Sequence, residues 1–391
     1  MRLRKTVAIS VASILSVALA ACGSSSSGGS SGPIVVGSIN TLSGPVTFPE
    51  ASQAAQAVFN QVNASGGING RKISYMPLDD QGNPSTAAQD ARKLISENNA
   101  VAMAGSASLL DCEVNSTFYG QSSVSSIPGV GVDPGCFASP SIAPANTGPY
   151  LGTQVILQYA SEQLKLKHLC AFIVVIAGTG NAYKKAISDW SASTGKRLIL
   201  ENSAIPATTT DFTPFVLAAK QAGCDGIMVN GVQPQMIAWA KAMQAQNMKN
   251  ATLLALSSTY TVQAAAAIGN PGFPMYAASE FAPYTDANSS ANADWRSLMT
   301  RNKIPLTSFS QGGYLAATYL VQVLKSIKGP ITAKTVTSAL KAMSPINNPM
   351  VGTPYVFGNA TTHNPNRAIT VVSLKNGAWT TVPGGWVIAK S

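Results

Sequence analysis

Histidine is nearly absent: His168 and His363 are the two in 391 residues. No H-x-x-x-H, H-E-x-x-H or C-x-x-C spacing occurs, which argues against a His- or Cys-rich metal site. A Ser-His-Asp triad would have to use one of these two histidines, and no G-x-S-x-G elbow accompanies either. Charge is scarce as well, at 11% of residues against 46% hydrophobic, a balance that excludes a disordered chain. Lys and Arg number 26 against 16 Asp and Glu, a formal +10. The excess is thinly spread, and no basic cluster with interleaved aromatics follows residue 5, so nucleic acid is not an expected partner. Beyond the N-terminal run no long uninterrupted apolar stretch exists, which excludes a polytopic membrane protein.

Nucleotide fingerprints are also missing. Gly178-Thr-Gly180 follows a strand pattern and opens a helix pattern, but the third glycine of G-x-G-x-x-G falls on Tyr183. Gly129-Val-Gly131 fails in the same way, at Pro134, and there is no P-loop. The sequence therefore predicts a protein that is not an enzyme and needs no cofactor or metal.

What is present begins with an export signal. Residues 1–21 carry Arg2, Arg4 and Lys5 ahead of an apolar run from Val7 to Ala21, too short for a comfortable membrane span. Removing those three cations leaves 10 − 3 = +7. Leu19-Ala20-Ala21-Cys22 matches a bacterial lipobox, in which Cys22 takes the lipid. Residues 22–33, rich in Gly and Ser, then read as a flexible tether. The expectation is an extracytoplasmic lipoprotein anchored at the outer face of the cytoplasmic membrane. Without Cys22, four cysteines remain: Cys112, Cys136, Cys170 and Cys224. An even number in an oxidising compartment suggests two disulfides, with three pairings open.

From residue 34 short apolar strand patterns alternate with helix patterns. Strands are expected at 34–39, 72–78, 100–104 and 127–132, with helices at 50–63, 85–97 and 113–122 between them. After the Pro/Gly-rich APANTGPY at 143–150 the rhythm restarts, with strands at 169–176, 197–202, 226–230, 252–256 and 275–279. Further breaks fall at 268–274 and 347–354. Alternation of this kind predicts an α/β fold of two doubly wound parallel-sheet lobes. Such sheets bind ligands beyond the C-terminal ends of their strands. Those ends carry Ser38, Ser43, Ser106, Ser108, Asp133, Thr179 and the run Ser257-Ser258-Thr259-Tyr260.

With these residues in view, the sequence resembles the leucine/isoleucine/valine-type periplasmic binding proteins, the substrate-binding components of ABC importers. The landmarks are Val36-Gly-Ser-Ile-Asn-Thr-Leu-Ser-Gly-Pro45, the segment from Phe59 to Ile73 with Asp79-Asp80 beyond it, Asp211-Phe212, and Asn230-Gly-Val-Gln-Pro-Gln235. The resemblance spans about residues 34–385. It implies two lobes joined by three crossovers, 34–148 with 274–347 and 149–273 with 348–391. Hinge closure on a small-molecule ligand and docking of the loaded monomer on a membrane permease follow from it. Its strand order favours the pairings Cys112–Cys136 and Cys170–Cys224. The implied ligand set is Ser43, Phe48, Ser106, Ser108, Leu109, Val132, Asp133, Thr179, Val232, Ser257, Ser258 and Tyr260. Relatives hold an α-ammonium with an acid after the strand that here ends near Leu256, where Ser257-Ser258-Thr259-Tyr260 supplies none. Either Asp133 provides that charge from the other lobe or the ligand is not a free α-amino acid. Two other expectations compete with import: an extracytoplasmic ligand sensor on the same fold, and a cell-surface hydrolase.

Overall fold

The computed structural model describes residues 32–44, 46–176 and 178–390. The signal segment 1–21, the proposed lipidation site Cys22 and most of the tether lie outside the described residues.

Two sheets organise the chain. The first has order β2-β1-β3-β4, from Ile34–Asn40 (β1), Ile73–Asp79 (β2), Ala102–Ala104 (β3) and Ser126–Ile127 (β4), all parallel. The second contains β5 (Leu169–Val175), β6 (Leu200–Pro206), β7 (Gly226–Val229), β8 (Thr252–Ala255), β9 (Met275–Ser279), β10 (Ala368–Lys375), β11 (Ala378–Thr381) and β12 (Val387–Ile388). Its order is β11-β10-β9-β8-β7-β5-β6; β10 runs antiparallel to β9, and β11 and β12 antiparallel to β10.

Helices cover both faces of each sheet, which is why the strands read as nearly continuous apolar runs rather than alternating ones. In β5, LCAFIVV, every residue but the last is buried. One side of it packs Phe172 against Trp239 of α7 (Gln233–Ala245), ring centroids 5.0 Å apart. The other side meets Trp190 of α5 (Gly180–Thr194) and Ile156 and Leu157 of α4 (Pro149–Glu162). Around the first sheet lie α1 (Pro49–Ala64), α2 (Pro84–Arg92) and α3 (Asp111–Gln121). The chain returns to this lobe with α9 (Ala293–Arg301), α10 (Ser308–Ser326) and α11 (Ala333–Lys341). The approach of α10 to α1 demands glycine: a Cβ at Gly313 would sit 1.9 Å from the Ala51 carbonyl oxygen. Thr337 of α11 donates to the Ser123 carbonyl at 2.8 Å, so the returning segment belongs to the first lobe.

The structure pairs Cys112 with Cys136 in the first lobe and Cys170 with Cys224 in the second, at Cα–Cα distances of 4.8 and 5.9 Å. Among the described residues no helix is long and apolar enough to cross a membrane.

Three expectations are corrected. Met275–Ser279 lies between β8 and β10 of the second sheet, so the second crossing follows Ser279 instead of preceding residue 274. The Pro/Gly break at 268–274 is the turn from α8 (Val262–Ile268) into β9, inside one lobe. The fourth strand stops at Ile127, since Pro128 has no N–H for the ladder; Val130 keeps only an isolated bridge to Ala107. The edge strand β6 begins at Leu200, three residues later than expected, because its largely unburied pattern gives a weak apolar signal.

Candidate functional site

The C-terminal ends of both sheets open on a shared cavity of about 280 Å³, lined by residues of both lobes. The first-lobe wall is apolar. It consists of Val46, Phe48, Leu109, Val130, Val132 and Phe309, plus the hydroxyl of Ser308. Phe48 immediately precedes the Pro49 start of α1, with its N–H bonded to the Thr41 carbonyl at 2.9 Å. Phe309 is in the first turn of α10, and the two rings stack with centroids 4.9 Å apart. Ser308 Oγ is buried and has no hydrogen-bond partner.

The second-lobe wall combines strand ends and helix starts. Val174, Ile176, Val232 and Leu256 supply apolar surface, and Tyr150 meets Tyr183 edge to face at 4.9 Å. Burial pushes the Tyr183 hydroxyl up to about 12, so both tyrosines act as neutral donors. Several polar groups on this wall brace the scaffold. Asn230 accepts from Val174 N at 2.7 Å and donates to Val174 O at 3.0 Å. Thr179 donates to the Ile176 carbonyl at 2.7 Å and Ser258 to the Gly231 carbonyl at 3.2 Å.

The cavity floor is made by the joints between lobes, and its central group is Glu280, directly after β9 and only 4% exposed. Glu280 Oε1 accepts from Gly148 N at 2.7 Å and from Asn146 Nδ2 at 3.0 Å, both on the first joint. Its backbone carbonyl accepts from Asn366 Nδ2 at 2.7 Å, on the third. Asn146 also holds Gly131 of the first lobe through both N–H and carbonyl, at 2.8 and 3.1 Å. Glu280 thus links all three crossings beneath the cavity, its carboxylate to the first and its backbone carbonyl to the third. Burial raises its pKa, partly offset by hydrogen bonds from Gly148, Ser257 and Asn146. Among the described residues no Lys, Arg or His lines the cavity. Gly148 itself has φ 78°, and a Cβ there would collide with the Phe137 ring at 2.1 Å, so glycine sets the turn that aims this N–H.

Of the residues singled out in the sequence, Phe48, Leu109, Val132, Thr179, Val232, Ser257 and Ser258 lie on the cavity wall. Five do not. Ser43 donates to Asp79 Oδ2 at 2.6 Å. The Ser106 carbonyl accepts from Gly129 N and Val130 N, tying two loops together. Ser108 Oγ donates to Asp80 and accepts from Leu110 N and Asp111 N, which starts α3. Asp133 accepts from Cys136 N at 3.2 Å, and burial pushes its carboxyl up to about 7. Its carboxyl caps the turn at Cys136 and is not on the cavity lining. Tyr260 stacks on Tyr284 at 4.4 Å and shares a 2.8 Å hydrogen bond with Thr285, away from the cavity.

Glu280, Asn146, Tyr150, Tyr183, Ser308 and Phe309 were not anticipated. For Glu280 the available signal is the one used on the other strands: a polar residue just past the C-terminal end of a buried strand.

Two parallel-sheet lobes, three crossings and a ligand-sized cavity between them narrow the family, and the comparisons decide it. The family model for periplasmic binding proteins matches residues 33–378. The chain belongs to the periplasmic binding protein family. A Leu/Ile/Val-binding protein homolog from Brucella abortus is 24% identical over 340 residues, covering 80% of this chain and 82% of that protein. Among solved structures, a solute-binding protein of an ABC transporter from R. palustris, in complex with 4-hydroxybenzoate, superposes with a TM-score of 0.74 at 18% identity, covering 92% of this chain and 98% of that one. A branched-chain amino acid transporter substrate-binding protein from Streptococcus pneumoniae, in complex with isoleucine, gives 0.72 at 16% identity, covering 92% and 100%. At these identities the solved structures establish a shared fold. The family is one of extracytoplasmic solute-binding proteins, generally non-enzymatic.

Proposed function

We propose that the protein is a lipid-anchored solute-binding protein that captures a small molecule between its lobes and delivers it to an ABC permease. The observation that carries this reading is the cavity: both lobes supply its walls and the joints supply its floor. A ligand there touches both lobes, so it stabilises the closed arrangement over the open one by its differential contacts. The apolar lining with few polar groups is the composition of a small-molecule site. Lobes 34–148 and 149–273 with their returning segments, the second joint moved past Ser279, are the moving bodies of this mechanism. The lipobox at Cys22 supports retention of a monomer at the outer face of the membrane.

The test is thermal unfolding of residues 33–391, which contain all the elements described above. The panel holds amino acids, aromatic and short aliphatic carboxylates, amines, amides, polyols and sugars. A ligand at about 100 times its dissociation constant adds about 2.7 kcal/mol, a shift of several degrees for a chain of this size. A clear shift with one chemical class is expected; silence across the panel removes the binding reading. Separately, Cys22→Ser should move the protein from the membrane fraction to the soluble one, and an unchanged partition would refute the anchor.

A further inference from the structure

Among the described residues the cavity lining holds one carboxyl group and no base, an imbalance that bears on its occupant. Every other titratable group on the lining is a tyrosine. Glu280 has no ion-pair partner, since the salt bridges among the described residues are Lys185–Asp189 and Lys390–Glu162. Its Oε1 is held by Gly148 N and Asn146 Nδ2, so the carboxylate cannot turn away from the cavity without breaking the joint. Burial disfavours the charged form of this carboxylate, and a cation brought against it offsets that cost. The aromatic pairs Phe48–Phe309 and Tyr150–Tyr183 stand on opposite walls, and ring faces attract organic cations. Ser308 Oγ, buried and unpartnered on the first-lobe wall, supplies a further acceptor.

The cavity also disfavours an anionic group on the ligand. Ser108, a hydroxyl expected in the ligand set, is turned into the scaffold to bond Asp80 and the start of α3, so it offers no donor to an anion. A ligand carboxylate would also lie in a cavity with Glu280 and no compensating cation.

We infer that the cleft takes an organic ammonium: a branched or aromatic apolar body bearing one cationic nitrogen that pairs with Glu280, and no carboxylate. This inference rests on the binding reading above and names the ligand class for that site.

The experiment compares matched ligands on the intact chain by calorimetry and thermal shift. The amines are phenethylamine and isopentylamine. Their carboxylate partners are 3-phenylpropanoate and 4-methylpentanoate, with the corresponding amides as neutral partners and phenylalanine and leucine as zwitterions. The expected result is that an amine binds at least tenfold tighter than its carboxylate, amide and zwitterion. Glu280→Gln should then lower amine affinity at least tenfold and bring it level with the amide. Tighter binding of a carboxylate or amino acid would overturn the ammonium assignment while leaving the binding function intact. An amide that equals its amine would overturn it too, since Glu280 would then be a hydrogen-bonding group only. Silence from every series would overturn the ammonium assignment, while the wider panel, with its polyols and sugars, decides the binding function separately. Because Glu280 anchors the joints, E280Q must first melt as one transition; if it does not, the wild-type ranking alone decides.

Discussion

The two lobes place the polar residues at their strand ends differently: in both they bond the scaffold, but only in the second do they also line the cavity. In the first lobe, the hydroxyls and carboxylates past the strand ends bond one another: Ser43 with Asp79, Ser108 with Asp80, Asp111 with Tyr119 and Asn115. Its cavity face is therefore left mostly to Val46, Phe48, Leu109, Val130, Val132 and Phe309. In the second lobe and the joints, Thr179, Asn230, Ser257, Ser258 and Glu280 reach the cavity. The difference follows from the scaffold. With strands β3 and β4 only three and two residues long, the first sheet leaves its loops to be ordered by side chains. In the second sheet β7, β8 and β9, fully or almost fully buried and longer than β3 and β4, leave polar residues beyond their ends at the cavity. A polar residue at a strand end is thus a ligand candidate only where the local backbone does not already need it.

The largest test sets one disulfide against the other. Cys170–Cys224 closes a loop with 54 residues of sequence separation and Cys112–Cys136 one with 24. Chain-entropy reasoning gives about 4 kcal/mol for the longer and about 3.5 kcal/mol for the shorter. Replacing each pair by alanine and measuring denaturant unfolding should show the larger loss in the second lobe. A larger loss from the first-lobe pair would mean that its loops depend on the cross-link beyond its effect on the unfolded chain.

Phe309→Ala sharpens the contrast at the wall itself. The ring stacks on Phe48 and faces the cavity, so truncation should weaken ligand by roughly 1–2 kcal/mol of lost apolar contact. The check is titration with whichever panel member binds. Unchanged affinity would remove the first-lobe wall from the site.

Much of the fold was legible because burial on both faces of a sheet leaves a direct mark on sequence. LCAFIVV and TLLA could only be buried strands in a chain that alternates with helices. The second joint was not legible, since a Pro/Gly break between helix and strand looks the same inside a lobe as between lobes. The site was half legible. Apolar wall positions such as Val132 and Val232 follow from strand ends, but the retraction of Ser108 depends on Asp80, distant in sequence. Glu280 combines both problems: it follows a strand placed in the wrong lobe, and its partners Asn146, Gly148 and Asn366 come from two other segments.

A paired serine experiment follows. Ser108→Ala removes hydrogen bonds that start α3 and should lower stability by about 1 kcal/mol with affinity unchanged. Ser257→Ala, at the cavity beside Glu280, should do the reverse: affinity falls by about 1 kcal/mol, several-fold, with stability nearly constant. If both variants move the same observable, the division of labour between the lobes is wrong.

A last test is the pH dependence of the first lobe. Burial pushes Asp111 up to about 6 and Asp133 up to about 7. Unfolded, both titrate near 3.9, so at intermediate pH the native chain holds protons that the unfolded chain has released. Stability must then fall as pH rises through roughly 4 to 7, and the protein should melt higher at about pH 5 than at about pH 8. Glu280 shifts in the same direction and contributes a common background. Asp133→Asn isolates the Asp133 share from that of Asp111. Asp133 Oδ2 is buried without a partner, and the amide keeps an oxygen for Cys136 N while removing the titration. The variant should show a flatter melting profile across that range. An unchanged slope would place the proton uptake elsewhere, and Asp133 would then be ionised in the native lobe, restoring it as a source of negative charge near the cleft.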